Sequence, residues 1–152
     1  MIAAAPQGLR VLPRLPRRLA DWPERLAAYL DARRHVPFSW GTNDCATFAL
    51  GGIRALTGAR LADLLPGVWA NEPEAAAMLR QLGGLETAAI GVLGEPVRGR
   101  LAATAPRGWV VLAHLLERPT LGLAAGNGWW CGPGPAGLVF RPQVEVAVAW
   151  EV

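Results

Sequence analysis

The chain has 152 residues, and among them are no lysine, only two cysteines, Cys45 and Cys131, and only two histidines, His35 and His114. Two cysteines make no disulfide framework. A single bridge between them would consume the better nucleophile candidate. Without a CxxC pair or a paired-histidine spacing, a zinc site is not expected, and no cofactor is called for. Every basic residue is arginine, which we read with the high Ala and Gly content as a GC-rich coding sequence and not as a function. Long apolar runs are missing too. Gly, Pro or Arg breaks each one, so no membrane-spanning helix is expected. Met1 to Leu19 has no continuous apolar core before a cleavage site, so no secretory signal is expected. Pro6, Pro13 and Pro16 argue against an amphipathic transit helix there. Charge of one sign is local. Arg10, Arg14, Arg17 and Arg18 lack acidic neighbours, while the remaining charges nearly cancel within the net +3. A nucleic-acid partner would need a clustered basic face with aromatics beside it. The sequence offers only a basic arm, read as a docking tail.

What is present is enough for a core. A hydrophobic content of 52% with 18% charged residues excludes disorder, and the length suits one domain. Residues 1–20 read as an extended, Pro-rich arm and 21–152 as a single domain. Asp21-Trp22-Pro23-Glu24 reads as a helix start with a capping box, with Trp22, Leu26, Tyr29 and Leu30 on one face. That helix must end before Pro37. A second helix is predicted from Asp44 to Thr57 with Gly58 as its stop. Its stripe is Cys45, Phe48, Ala49, Gly52, Ile53 and Leu56. Gly51 and Gly52 each cost about 1 kcal/mol of helix propensity, which implies that another element approaches closely. A third helix starts at Asn71-Glu72-Pro73-Glu74 and ends at Gly83-Gly84. A fourth runs from Leu85 to Leu93, before Gly94.

From Pro106 the texture changes to strands and tight turns. Strands are predicted at Trp109 to Leu112, Leu121 to Ala125, Trp129 to Cys131 and Leu138 to Phe140. Alternation of Val144, Val146, Val148, Trp150 and Val152 predicts a last strand with one buried face. Helices first and strands after give an α+β domain with a small antiparallel sheet. There is no internal repeat.

The most informative segment is Pro37-Phe38-Ser39-Trp40-Gly41-Thr42-Asn43-Asp44-Cys45, followed by the apolar run Ala46 to Leu56. It puts Cys45 at the head of a helix, where the dipole biases a thiol toward thiolate. The alternative is a free cysteine that fills core space. Asp44 would raise that thiol's pKa and reads better as the helix cap. Trp40 and Gly41 read as a buried ring and a tight turn, and His35 as a partner of a helix C-terminus. Cys131 reads as packing or an exposed loop residue. Trp129 and Trp130 form either an apolar contact patch or the closure of the sheet edge.

This segment, with a small sheet to follow and Ala149-Trp150-Glu151-Val152 at the end, resembles the NlpC-type papain-like cysteine peptidases, over roughly residues 21–152. Within that superfamily it resembles an uncharacterised phage- and prophage-associated branch. The resemblance implies a papain-like fold, with N-terminal helices packed on the sheet. It also implies cleavage of peptidoglycan stem peptides with Cys45 as nucleophile, activated by a histidine on the second strand. The Cys45 N–H would help to bind the oxyanion, and Phe38, Trp40, Asn43, Asp44 and Thr120 would shape the site. The chain departs from that pattern. Phe38 has no hydroxyl where the family has tyrosine, and Gly108-Trp109-Val110 stands where Gly-Asp opens a strand. No histidine falls at Pro119-Thr120-Leu121-Gly122. His114, one strand earlier, is either a displaced base or an ordinary strand-end residue. Two functions follow. One is a cysteine endopeptidase or amidase acting on cell-wall peptides. The other is a non-catalytic component of a phage tail tip or phage-like injection apparatus, with tail proteins as partners, located in the virion or in the bacterial cytoplasm before assembly. Acyl transfer by the thiol without a histidine, and a small-ligand binding module, are further alternatives.

Overall fold

A computed structural model describes residues 15–65 and 69–152. The chain is α+β: helices come first, and a five-stranded antiparallel sheet follows. Helices are α1 (Trp22–Arg33), α2 (Cys45–Thr57), α3 (Glu72–Gln81), α4 (Leu85–Leu93) and the short α5 (Arg100–Ala103), with a 3₁₀ turn at Leu61–Leu64. Strands are β1 (Val110–Leu115), β2 (Arg118–Gly126), β3 (Trp129–Gly134), β4 (Gly137–Pro142) and β5 (Glu145–Trp150). Their order across the sheet is β4-β3-β2-β1-β5, so β5 returns to the far side of the meander. Among the described residues no helix is long and apolar enough to cross a membrane.

Each face of the sheet has its own core. On one, Leu112, Leu121, Leu123, Cys131, Val148 and Trp150 pack with Leu26 of α1 and with Phe48, Ile53 and Leu56 of α2. On the other, Val111, Ala113, Ala124, Trp130 and Ala149 pack with Ala102 and Ala105, at and just after α5. The glycines of α2 mark its closest contacts. A Cβ at Gly52 would lie 2.6 Å from Leu123, and one at Gly51 would strike the Tyr29 hydroxyl. That hydroxyl donates to the Phe48 carbonyl at 2.7 Å. Both sheet edges are blunted. Val97 bridges Ala149 on β5, and the Leu138 N–H of β4 donates to the Arg34 carbonyl while Pro142 has no N–H to offer.

Several expectations need correction. Asp21 makes no capping hydrogen bond. Its carboxylate accepts instead from Arg25 Nε at 2.7 Å, one turn along. The basic arm is described only from Leu15 onward. There Arg18 donates to the carbonyls of Val152 and Arg107 and lies over the Trp22 ring, 4.1 Å from its centroid. The first four strands are longer than predicted, because His114, Pro119 and Pro133 all sit inside ladders, and the last is shorter. The last strand does not keep one face. Its register against β1 steps from Val148 to Val146, leaving Ala147 as an extra residue. Val144 and Val146 therefore pack on the second core, while Val148 and Trp150 pack on the first. Of the tryptophan pair, Trp130 is buried flat against Gly122 and Gly132, and Trp129 is exposed. Cys131 is neither bridged nor in a loop: it is a core residue of β3.

Candidate functional site

The segment from Phe38 to Asp44 folds into a loop that satisfies its own polar groups. Ser39 and Asn43 exchange backbone hydrogen bonds, and Gly41 takes a left-handed φ of 79°. The buried Asn43 side chain donates to the carbonyls of Val36 and Pro37 at 3.2 and 3.1 Å. Phe38 and Trp40 meet edge to face, with ring centroids 4.8 Å apart. Phe38 also donates its N–H to the Gly134 carbonyl at 2.8 Å, tying the loop to β3.

Asp44 caps α2. Its Oδ1 accepts from the Thr47 N–H at 2.9 Å and the Thr47 hydroxyl at 3.0 Å, while its own N–H donates to Thr47 Oγ1. Oδ2 accepts from the Gly41 N–H at 2.8 Å and from Trp69 Nε1 at 2.5 Å. Four donors meet a carboxylate with about four lone-pair sites, so this buried anion is saturated. Its role is structural: it joins the loop, the helix and Trp69.

Cys45 follows at the first position of α2. The expected shift toward thiolate is not found. Burial pushes the thiol up to about 11, and the Asp44 charge adds to this. The backbone N–H groups of Leu121, Ala46 and Cys45 itself pull the other way without prevailing. Part of the residue's area borders an opening, yet apolar groups surround the sulfur, so desolvation outweighs the helix start. Cys131, deeper in the sheet, is pushed up to about 12 for the same reason.

The opening is a cavity of about 180 Å³ between α2, α3, α4 and the start of β2. Asp44 and Cys45 are polar side chains on its wall, and Trp40 and Trp69 stand at the same end. Pro119 and Leu121 line the same cavity, and the Leu121 N–H lies against the thiol. A closed void of this size would cost on the order of 4 kcal/mol at about 24 cal/mol per Å³. This one is open on one side.

The two histidines lie elsewhere. His35 is exposed beyond α1, its backbone against Gly137. His114 is exposed within β1, paired with Pro119 on one side and Glu145 on the other. Strand alternation places His114 on the face of Leu112, Pro119 and Leu121, which is the cavity face, two residues along from Leu112. Thr120 pairs with Ala113 and so belongs to the opposite face, where its hydroxyl donates to the Arg118 carbonyl. The structure thus brings Trp40, Asp44 and Cys45 to one cavity, keeps Phe38 and Asn43 in the supporting loop, and leaves Thr120 apart from them.

Trp69, Met78, Leu79 and Leu82 line the cavity and were not singled out from sequence. Ala75, Met78, Leu79 and Leu82 follow i, i+3, i+4, i+7 spacing, and that stripe was the available signal. Nothing local marks Trp69, whose partner Asp44 is 25 positions away. Among the described residues no group of three His, Cys, Asp or Glu side chains is arranged to hold a metal ion.

Comparison with curated proteins and with solved structures gave no match. The family model described as Domain of unknown function (DUF6950) matches residues 17–152, and the chain belongs to that family.

Proposed function

We propose that this chain is a papain-like, peptidase-derived domain whose thiol site has lost hydrolytic chemistry, and that it serves as a structural component of a phage tail tip or phage-like injection apparatus. The likeness of Trp40-Gly41-Thr42-Asn43-Asp44-Cys45 to the NlpC-type segment supports the ancestry. One observation carries the loss of chemistry. The Cys45 thiol, raised to about 11, shares its cavity with Pro119 and Leu121 where that family places its base. At neutral pH roughly one thiol in ten thousand is ionised at such a pKa. In the assembly reading the loop around Asp44 is kept because it holds α2 in place, and tail proteins are the partners.

A second reading, a cysteine peptidase or amidase acting on stem peptides, draws on the register that sets His114 beside Pro119 on the cavity face. Cys45 would then attack, His114 would take the proton, and the Cys45 N–H would face the oxyanion. The pH dependence of Cys45 alkylation separates the two, with Cys131→Ser isolating the signal and His114→Ala as the comparison. Labelling that stays slow below pH about 9 and ignores His114→Ala is the result expected for the assembly role. Rapid labelling well below the free-thiol value of about 8.5, slowed by His114→Ala, would overturn it in favour of the peptidase. The assembly role also requires the chain to purify with particles. A chain that stays monomeric and outside them would count against it.

A further inference from the structure

The cavity at Cys45 has a chemistry of its own. Its walls are Ala46, Ala49 and Leu50 of α2, Ala75, Met78 and Leu79 of α3, and further apolar groups of α4 and β2. Among the described residues, its polar side-chain groups are Asp44, Cys45 and the indole N–H groups of Trp40 and Trp69, the last spent on Asp44. Asp44 has both oxygens engaged by two donors each, so it has nothing left to offer a ligand. Cys45 contributes a protonated S–H, a weak donor. An anionic headgroup would meet no cation and would lie beside the Asp44 charge. A ligand rich in hydrogen-bonding groups would leave most of them unpaired. The occupant that fits is uncharged and apolar.

We propose that this cavity is a binding site for a small uncharged hydrocarbon ligand, aromatic or aliphatic, whose inner end lies against the Cys45 thiol. Size supports the assignment. At about 180 Å³ the space matches in volume apolar cavities of roughly 150 Å³ that take up benzene, with one side open for entry. The wall is also suited to admit a guest. Met78 and Leu79 are only half-buried, and α3 carries a single buried side chain, Ala75. A flexible thioether at Met78 adapts to the shape of what it covers. Trp69, held by Asp44, lines the cavity next to the thiol, and α3 supplies the side that yields. The proposal rests on these walls and not on the assembly role, so either can fail without the other.

The test uses the full chain with ¹³C-labelled methionine methyls, the Met78 resonance being identified by Met78→Leu. Toluene is the probe and benzoate its charged counterpart. The expected result is a saturable shift of the Met78 methyl with toluene and none with benzoate at equal concentration. In a Cys131→Ser background, toluene at about ten times its dissociation constant slows Cys45 alkylation by iodoacetamide about tenfold. Ala89→Phe, which fills the space from α4, abolishes both effects. Should that variant not fold, Ala75→Leu makes the same test from α3. A Met78 methyl that ignores toluene, an equal response to benzoate, or undiminished binding in a folded cavity-filled variant would each overturn the proposal.

Discussion

The two sides of α2 are built differently. Toward α1 and β2 the helix carries Gly51 and Gly52, and neighbours come so close that no Cβ fits: Tyr29 lies on the first and Leu123 on the second. Toward α3 and α4 the same helix presents Ala46, Ala49 and Leu50 to open space. Side chains on that second side are no less apolar. The difference lies in distance. Glycine lets one pair of elements touch, while α3 and α4 stand off and leave a cavity. Close packing is therefore a property of each contact, not of the helix, and binding chemistry collects where contact is incomplete.

The largest expected effect comes from Gly52→Val, which forces two methyl groups into the fully buried Leu123. Overpacking there should cost about 3 kcal/mol in urea unfolding. A cost under about 1 kcal/mol would mean that Leu123 yields and the tight side is not tight. Asp44→Ala comes next, at about 2 kcal/mol. It removes the helix cap and strands the half-buried donors at Gly41 and Trp69. Because Trp69 is released, this variant should also speed alkylation of Cys45. Unchanged labelling would show that Trp69 does not shield the thiol.

The thiols supply a pH arm. Both have folded values above the unfolded value of about 8.5. Their contribution to stability is therefore fully present below about 8.5 and is lost as pH rises through about 11 for Cys45 and about 12 for Cys131. Discounted for the partial exposure of Cys45, the combined loss should reach about 2 kcal/mol by pH 9.5. It should shrink in Cys45→Ala. A stability flat from pH 7 to 10 would show that burial does not raise these groups.

On the open side, Ala46→Leu should be neutral or stabilising by up to about 1 kcal/mol, because it adds volume to a void. A loss comparable to that of Gly52→Val would abolish the contrast. The smallest effect expected lies away from α2. Leu116, 97% exposed, and Glu117 form the β1–β2 turn with φ of 49° and 63°. A non-glycine pair is strained there. Leu116→Asn should gain about 0.5 kcal/mol, which a thermal melt would detect.

Much of the helical half was legible. The Asp44 cap, the Gly58 stop and the close approach over Gly51 and Gly52 appear as the residues implied. So do the Asn71 cap and the bounds of α4 at Gly84 and Gly94. Each is decided within a turn of the chain. The sheet was less legible. Ala147 is as apolar as its neighbours, so the bulge that exchanges the faces of β5 leaves the alternation of valines looking intact. The four-residue α5 is too short to show a period. At the candidate site the loop and its cap were visible, but the sign of the Cys45 shift was not. Sequence shows the helix start beside the thiol, and burial, which exceeds it, comes from β2, α3 and α4.

By itself the sequence determined where the four longer helices begin and end, which glycines admit a neighbour, and that Asp44 rather than Cys45 would meet the first N–H groups of α2. Those outcomes depend on hydrogen bonds and steric limits reaching three or four residues. Only the tertiary structure decided that Pro119 and Leu121 share a cavity with the thiol, that Thr120 turns away, that Trp69 reaches Asp44, and that a cavity is left between α2 and α3. Desolvation and void volume depend on how closely distant segments approach, and no local pattern encodes that distance.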